Sequence, residues 1–293
     1  MNEKLMQFEQ ERIKTVKSAN HFYIFGALLI LLGIALMLLV FPLFVIVAVI
    51  GVILIVVGSV KIGKLAKRFK IEIMPTIIRE VYPDASFNFE SGLSEEQILI
   101  PGFFKRPSRS TTSDYIKASY DGVDFEMSEF DFKERRTTTD GKGHTTTTYV
   151  TYAKGRFMIF DFKRDFDKVV KVFETTFLGA NTRNLEKVET ESIEFNKKFK
   201  TYATDELTAF YVLTPQVQLK LLEVEKKFKG SIFFAFMNGK LYIAINDNVN
   251  TLEMNPKKPI NEESLQIFYN QLSIPAAFIK ELKLSSDKWS KNI

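Results

Sequence analysis

The chain of 293 residues contains no cysteine and only two histidines, His21 and His144. Without cysteine it can form no disulfide, no thiolate nucleophile and no cysteine-ligated metal site. With so few histidines, a histidine-based catalytic triad and a two-histidine metal site are both poor interpretations. A phosphate-binding loop is missing as well, because Gly141-Lys142-Gly143 lacks the required spacing. We therefore expect no catalytic residues, no metal and no cofactor.

Charged side chains are also missing from the whole run between Phe22 and Val60. A membrane helix needs about 20 apolar residues, so the run predicts two spans, residues 22–40 and 43–60. Pro42 lies in the short link, where it would break a helix. A cleaved signal peptide fits poorly, because the run is too long and has no small-residue cleavage site before the second span. Since no ionisable residue lies inside either span, we expect no transport pathway or proton relay.

Basic residues flank the two spans at their outer ends. Those after the second span have no acidic residue among them: Lys61, Lys64, Lys67, Arg68 and Lys70. Short basic flanks stay in the cytosol, so we expect a multi-pass protein of the cell membrane with both termini cytosolic. The five residues should contact anionic lipid headgroups, at about 1 kcal/mol each. We favour this general role over a specific lipid site. Because the basic excess is confined to these flanks, the pI of about 9.0 indicates no nucleic-acid partner.

Glycines recur at the same interval in both spans. Gly26 and Gly33 are seven residues apart, as are Gly51 and Gly58, so each pair lies on one helix face. If the hairpin pivots near Pro42, Gly58 should face Gly26 and Gly51 should face Gly33. Small residues allow membrane helices to pack closely, so the pattern predicts a glycine seam between the helices. The alternative is chance, since glycine is common in membrane helices.

The remaining chain predicts an α+β fold, in which the two-helix transmembrane hairpin is followed by a mainly antiparallel β domain with packed helices. The expected parts are a cytosolic N-terminal segment (1–21), the hairpin (22–60), a basic juxtamembrane linker and helix (61–82), a first β-rich soluble part (83–180) and a second α+β soluble part (185–293). Whether the soluble region has one core or two subdomains, joined at residues 181–184, stays open.

Two hairpins are predicted from their turn residues. Residues 137–144 include Asp140-Gly141 and form a flexible tip between strands that are rich in threonine and polar on both faces, so this hairpin should project from the sheet. It is either a finger that binds a partner or a solvated hairpin, and we favour the second. Asn238-Gly239 joins two runs that are apolar on both faces, which predicts a central, buried hairpin.

Helix signals are clearest at Thr214-Pro215, an N-cap followed by proline at the first helical position. This helix should close at Gly230. Other helices are expected over residues 71–82, with a break at Pro75, and over residues 261–272. A turn or short helix should run from Pro275 to residue 284. Residues 101–113 are predicted as a loop.

Acidic residues offer little evidence of catalysis. Asp205 and Glu206 could serve as general acid and base or hold a metal, but adjacent acids after a strand more often form a turn or cap a helix. Asp161, Asp165 and Asp167 lack the glycine and closing glutamate of a calcium-binding loop. We interpret them as surface acids.

Several stretches resemble a known protein family: residues 194–206 leading into 209–215, residues 241–245, and residues 155–162. The family is an uncharacterised group of bacterial membrane proteins with a domain of unknown function. The resemblance implies two N-terminal spans and a cytosolic α+β domain. Members are sometimes encoded near small membrane-anchored coiled-coil proteins of the LemA type, which implies an assembly partner in the membrane. It implies no site residues, because the family has no established catalytic residues. The threonine-rich tip departs from the family pattern.

Three functions are compatible with these features. The first, which we favour, is a non-enzymatic, membrane-anchored interaction or scaffold module whose partners are the lipid bilayer and a protein, or a second copy in the membrane. The second is a lipid- or membrane-sensing module, which would need a closed apolar cavity. The third is a carboxylate-dependent membrane-bound hydrolase, which would need acids converging in a cleft.

Overall fold

The computed structural model describes residues 3–36, 41–161, 168–175 and 180–285. The helices are α1 (Glu3–Leu36), α2 (Phe41–Glu72), α3 (Met74–Val81), α4 (Glu95–Leu99), α5 (Ile193–Lys198), α6 (Glu206–Val212), α7 (Pro215–Glu225), α8 (Glu262–Leu272) and α9 (Ile274–Glu281). The strands are β1 (Ser86–Asn88), β2 (Arg109–Tyr120), β3 (Val123–Thr139), β4 (Thr145–Asp161), β5 (Val170–Glu174), β6 (Glu186–Val188), β7 (Phe199–Ala203), β8 (Ser231–Met237) and β9 (Lys240–Asn246).

The described chain divides into two compact units. The first combines Met1–Ile77 with Leu252–Gln271, and the second combines Ile78–Thr251 with Leu272–Ile293. Helices therefore dominate the first unit, and the second contains the sheet. This is the α+β fold predicted from the sequence, with two apolar N-terminal helices followed by an antiparallel sheet and packed helices.

The first two helices, α1 and α2, are long and apolar enough to cross a membrane. Both continue without a break beyond the apolar run, because α1 already begins at Glu3 and α2 ends only at Glu72. The predicted division of the apolar run into two helices is confirmed, but α2 already begins at Phe41, so Pro42 is not in the link. Pro42 lies in the first turn of α2, where a proline costs little because its missing N–H would have no helical partner. Residue 40 of the predicted link lies outside the described residues.

The glycine seam has a different register from the predicted one. All four glycines are buried, but Gly26 faces Gly51: a Cβ on either would stand 2.6–2.7 Å from the other's carbonyl oxygen. Gly58 lies instead against Tyr23 and the carbonyl oxygen of Ala19. The predicted pairs were wrong because they assumed a pivot near Pro42. In the described chain α1 ends at residue 36 and α2 begins at residue 41. Gly26 and Gly51 are equally far from these two helix ends, so they lie at the same depth in the hairpin.

An aromatic stack joins α8 to the parts of α1 and α2 that lie outside the apolar run. The Phe69 ring lies 5.8 Å from Phe8 of α1 and 5.5 Å from Phe268 of α8, measured between ring centroids. Phe69 itself is fully buried. A segment almost 200 residues further along the chain therefore packs on the helical hairpin.

A partly buried ion pair between Arg12 and Glu9 holds residues 256–260, directly before α8. Arg12 donates to both carboxylate oxygens of Glu9 at 2.7 Å and, through Nη1, to the carbonyl oxygen of Pro256 at 2.8 Å. Glu9 in turn accepts a hydrogen bond from the backbone N–H of Ile260 at 3.0 Å. The hydrogen bonds from Arg12 hold the pKa of Glu9 below its ordinary value. No sequence pattern predicted this contact.

In the second unit, the described strands form one sheet in the order β1-β2-β3-β4-β9-β8-β5-β7-β6. Each pairing within it is antiparallel. The pairing of β4 with β9 places strands from both expected soluble parts side by side, so the joint at residues 181–184 does not separate two sheets. Phenylalanines from β3, β4, β5 and β8 and from the loop before β2 form a common core cluster that includes Phe103, Phe130, Phe157, Phe173 and Phe233.

The predicted central hairpin is confirmed. Strands β8 and β9 are joined by Asn238 and Gly239, whose φ angles of 54° and 66° are those of a tight hairpin turn. Helix α7 begins at Pro215 as predicted but ends at Glu225 instead of Gly230. Gly230 precedes β8, and a Cβ there would stand 2.4 Å from the carbonyl oxygen of Asn246. The predicted loop 101–113 is too long, because β2 already begins at residue 109.

Candidate functional site

A two-stranded ribbon extends from one end of the sheet. Strands β3 and β4 stay paired up to Thr139 and Thr145, with one shift of register between Phe132 and Lys133. Strand β2 pairs with β3 only as far as Lys133, and β9 pairs with β4 only over residues 156–161. Residues 135–149, here called the distal ribbon, are all exposed. The predicted projection of this hairpin is therefore confirmed.

Strand edges of the distal ribbon are open on both sides. Within the part of the chain that the structure describes, no further strand pairs with its outer edges. Its backbone N–H and C=O groups can therefore form hydrogen bonds with an added strand. Seven of its fifteen residues are threonines, which suit an extended conformation without an apolar face.

The tip of the ribbon is an ordered turn at residues 140–144. One carboxylate oxygen of Asp140 accepts from the backbone N–H of Lys142 at 2.8 Å and of His144 at 2.9 Å. The other oxygen lies 3.1 Å from Nδ1 of His144. These bonds lower the pKa of Asp140, and the bond from the backbone N–H of His144 has the largest effect. The predicted tip at residues 137–144 is shorter in the structure, because β3 continues to Thr139.

Charged and aromatic side chains connect the base of the ribbon to the rest of the sheet. Glu134 accepts from Lys105 at 2.6 Å and from Arg136 at 2.8 Å, and these bonds lower its pKa. The guanidinium of Arg109 lies 3.6 Å above the ring of Tyr149. The ribbon is therefore oriented at its base and ordered at its tip, with exposed threonine strands between.

A second feature lies in the first unit, between α1 and α2 directly beside the apolar run. It is a groove of about 400 Å³, here called the basic groove, and its lining residues are Glu11, Lys14, Thr15, Ser18, Lys61, Lys64, Leu65 and Arg68. Four cations face one carboxylate in this groove. Three of the five predicted headgroup residues therefore line one concave surface.

The other two predicted headgroup residues lie elsewhere on α2. Lys70 Nζ is 3.9 Å from a carboxylate oxygen of Glu253 in the first unit, and Lys67 is exposed outside the lining of the groove. Contact of the five residues with headgroups stays a prediction.

Asp205 and Glu206, which were considered as catalytic candidates, both belong to the start of a helix. Asp205 caps α6, because its carboxylate accepts from the backbone N–H and the hydroxyl of Thr208, both at 2.8 Å. Glu206 follows in the first turn of that helix. Asp165 and Asp167 lie outside the described residues. Among residues that the structure describes, no group of three His, Cys, Asp or Glu side chains is arranged to hold a metal ion.

A buried charged cluster escaped the sequence analysis. Arg156 on β4 donates to Asp247 at 2.6 Å, and both side chains are less than a tenth exposed. Beside it on β3, Glu129 accepts from the backbone N–H and the hydroxyl of Thr251. These contacts fix residues 247–251 after β9. Partners so distant in sequence have no common spacing that could have revealed them.

The C-terminal part of the chain is similar to a known protein family. Residues 151–284 match the family described as "Protein of unknown function (DUF3137)", so a domain of unknown function covers that range. The distal ribbon precedes it. No curated protein matches the chain. Among solved structures, the chain is similar to the mycobacterial trehalose monomycolate transport factor A, TtfA, with 8% identity, a TM-score of 0.38, and coverage of 72% of this chain and 93% of that one. A likeness this slight carries no argument about function.

Proposed function

We propose that the chain is a non-enzymatic, membrane-anchored interaction module. In this proposal α1 and α2 anchor it in the cell membrane with both termini in the cytosol. The second unit, the soluble part with the sheet, presents the distal ribbon to a protein partner. The observation that carries the proposal is the ribbon itself, which is exposed on both faces and open at both edges, whereas residues 155–160 further along the same strand β4 are buried in the sheet.

Strand addition is the binding mode that suits this geometry. An extended peptide segment can pair with an open strand edge through main-chain hydrogen bonds. The turn around Asp140 and the contacts of Glu134 and Arg109 order the ribbon in advance. A pre-ordered surface lowers the entropy cost of binding.

The orientation can be tested first, because the chain has no cysteine. A single cysteine introduced by Gly143→Cys places one thiol at the ribbon tip, where the added Cβ would have open space around it. A membrane-impermeant maleimide should label it only after cell lysis. Labelling in intact cells would contradict the cytosolic orientation and direct the search to partners outside the cell.

The ribbon is tested by crosslinking in cells. A photo-reactive amino acid at Thr138 on the ribbon should capture a partner protein, and one at the exposed Lys229, away from the ribbon, serves as the control. Deletion of residues 141–147 should abolish capture from a second photo-reactive site at Lys133. If the deletion variant folds and captures the same partner, the ribbon is a solvated hairpin and the proposed binding site is wrong.

A further inference from the structure

The basic groove lies at the level where α1 and α2 leave the apolar run. Ser18 lies four residues before Phe22, and Lys61 follows Val60 directly. At 1.5 Å per helical residue, Lys64 is about 6 Å and Lys14 about 12 Å beyond the end of the run. If the run fills the hydrocarbon core, the headgroup layer covers about 5–8 Å on each side. The groove therefore begins within the headgroup layer.

The cations of the groove differ in how far they are neutralised. Arg68 forms ion pairs with Glu11 and with Glu72. Lys61 donates to the hydroxyl of Ser18 at 2.9 Å and stands 4.4 Å above the ring of Phe22, so no carboxylate neutralises it there. This leaves the positive charge of Lys61 available beside a hydroxyl.

Lys14 and Lys64 are the remaining two cations, one on each helix. Both are exposed, and within the described residues neither makes an ion pair or a hydrogen bond. Leu65 is only 3% exposed and lies at the floor between them. The groove thus offers three ammonium groups that no carboxylate in the described chain neutralises, together with the hydroxyls of Thr15 and Ser18.

We propose that the basic groove binds the phosphate group of an anionic phospholipid. Phosphate oxygens accept charge-assisted hydrogen bonds from ammonium groups, and these are stronger than neutral ones. Lys61 and Ser18 lie where the phosphate layer of a bilayer would be, and Lys14 and Lys64 approach from the two helices. The depth of the groove favours a lipid over a soluble phosphate compound. The inference rests on the proposed membrane anchorage.

The test separates a specific site from general attraction to a charged surface. Lys14→Gln with Lys64→Gln removes two cations of the groove without breaking an ion pair. The matched control is Lys17→Gln with Lys67→Gln, which removes one exposed cation from each of the same helices, at similar depth but outside the groove. Both variants lose two positive charges, so general attraction predicts the same loss for both.

The full chain is reconstituted in nanodiscs that contain phosphatidylglycerol and phosphatidylcholine, and retained lipids are measured by native mass spectrometry. For the groove variant we expect retention of phosphatidylglycerol to be weaker by about tenfold, which corresponds to about 1.4 kcal/mol. The control variant should retain it like the parent chain, and retention of phosphatidylcholine should not change. Equal losses in the two variants would overturn the proposal in favour of general surface attraction.

Two further measurements distinguish the sources of failure. Soluble glycerol phosphate should not displace the retained lipid, and displacement would assign the groove to a soluble phosphate compound instead. In a parallel assay, the parent chain and both variants should stay in the membrane fraction after an alkaline wash. Loss of the parent chain from that fraction would contradict the proposed anchorage itself. If all chains stay in the membrane fraction but the two variants retain phosphatidylglycerol equally, only the headgroup site is rejected.

Discussion

The distal ribbon and the central hairpin β8–β9 are both antiparallel hairpins with a tight turn, yet they have opposite surroundings. Residues 135–149 of the ribbon are exposed throughout, whereas residues 232–236 and 241–245 of the central hairpin are buried on both faces. Both turns contain a glycine at positive φ, Gly143 at 83° and Gly239 at 66°.

The difference shows which parts of a sequence control which properties. Turn residues decide that two strands fold back on each other. The residues in the strands decide whether the hairpin is buried: threonine on both faces in the ribbon, and phenylalanine, isoleucine and leucine in the central hairpin. The conformation of the ribbon is therefore stabilised by local contacts, whereas that of the central hairpin is stabilised by packing in the whole core.

The largest effect is expected in the centre of the sheet. Phe234→Ala removes a fully buried ring that packs 6.2 Å from Phe278 and 6.4 Å from Phe199, measured between centroids. The cavity should lower the free energy of unfolding by about 3–5 kcal/mol. The same truncation on the ribbon, Thr138→Ala, should change it by less than about 0.5 kcal/mol. Thermal unfolding of the detergent-purified chain measures both, and equal effects would contradict the comparison.

A smaller but still large loss of stability is expected when the ion pair between Arg156 and Asp247 is broken. Asp247→Ala removes from the buried guanidinium of Arg156 the carboxylate partner at 2.6 Å and should cost about 3 kcal/mol. The ion pairs of Glu134 at the base of the ribbon are exposed to solvent, so Glu134→Gln should leave the midpoint of thermal unfolding unchanged. A clear loss of stability in Glu134→Gln would mean that the ribbon belongs to the cooperative core.

Turn substitutions give a third, more moderate contrast. A β-branched residue at positive φ is strained by roughly 1–2 kcal/mol. Gly239→Val should therefore lower the global unfolding free energy by about that amount, since β8 and β9 unfold only with the core. Gly143→Val has the same backbone strain, but we expect faster hydrogen exchange only at residues 140–144. Hydrogen–deuterium exchange distinguishes a local from a global effect. Global destabilisation by Gly143→Val would contradict the expectation that its effect stays at the ribbon tip.

The smallest effect is a pH dependence confined to the ribbon tip. Because the folded state lowers the pKa of Asp140, its contribution is present above the ordinary value of 3.8 and is lost as the pH falls through the lowered pKa. The amide signals of Lys142 and His144 should shift in NMR spectra over that range, while those of β8 and β9 stay unchanged until the chain unfolds. Asp140→Asn, which cannot titrate, should remove the pH dependence.

The sequence predicted the features whose cause is local. Asn238-Gly239 predicted the central turn, because few residues other than asparagine and glycine adopt positive φ without strain. Asp205 before Glu206 indicated a helix cap, and the cap is present. The extent of β2 was missed, because residues 109–113 are polar, and β-bridges to β3 decide their conformation.

For this protein, the sequence alone determined the two apolar helices and the hairpin turns. A run without charge must bury its backbone polar groups in helices to cross a bilayer, and a turn requires only its own residues. Tertiary structure decided which glycines face each other, that β4 pairs with β9, and that residues 252–271 pack on α1 and α2 through Arg12 and Phe69. It also brought Lys14 and Lys64 to one groove. These features join residues that are distant along the chain, and such contacts depend on shape and burial that no local pattern records.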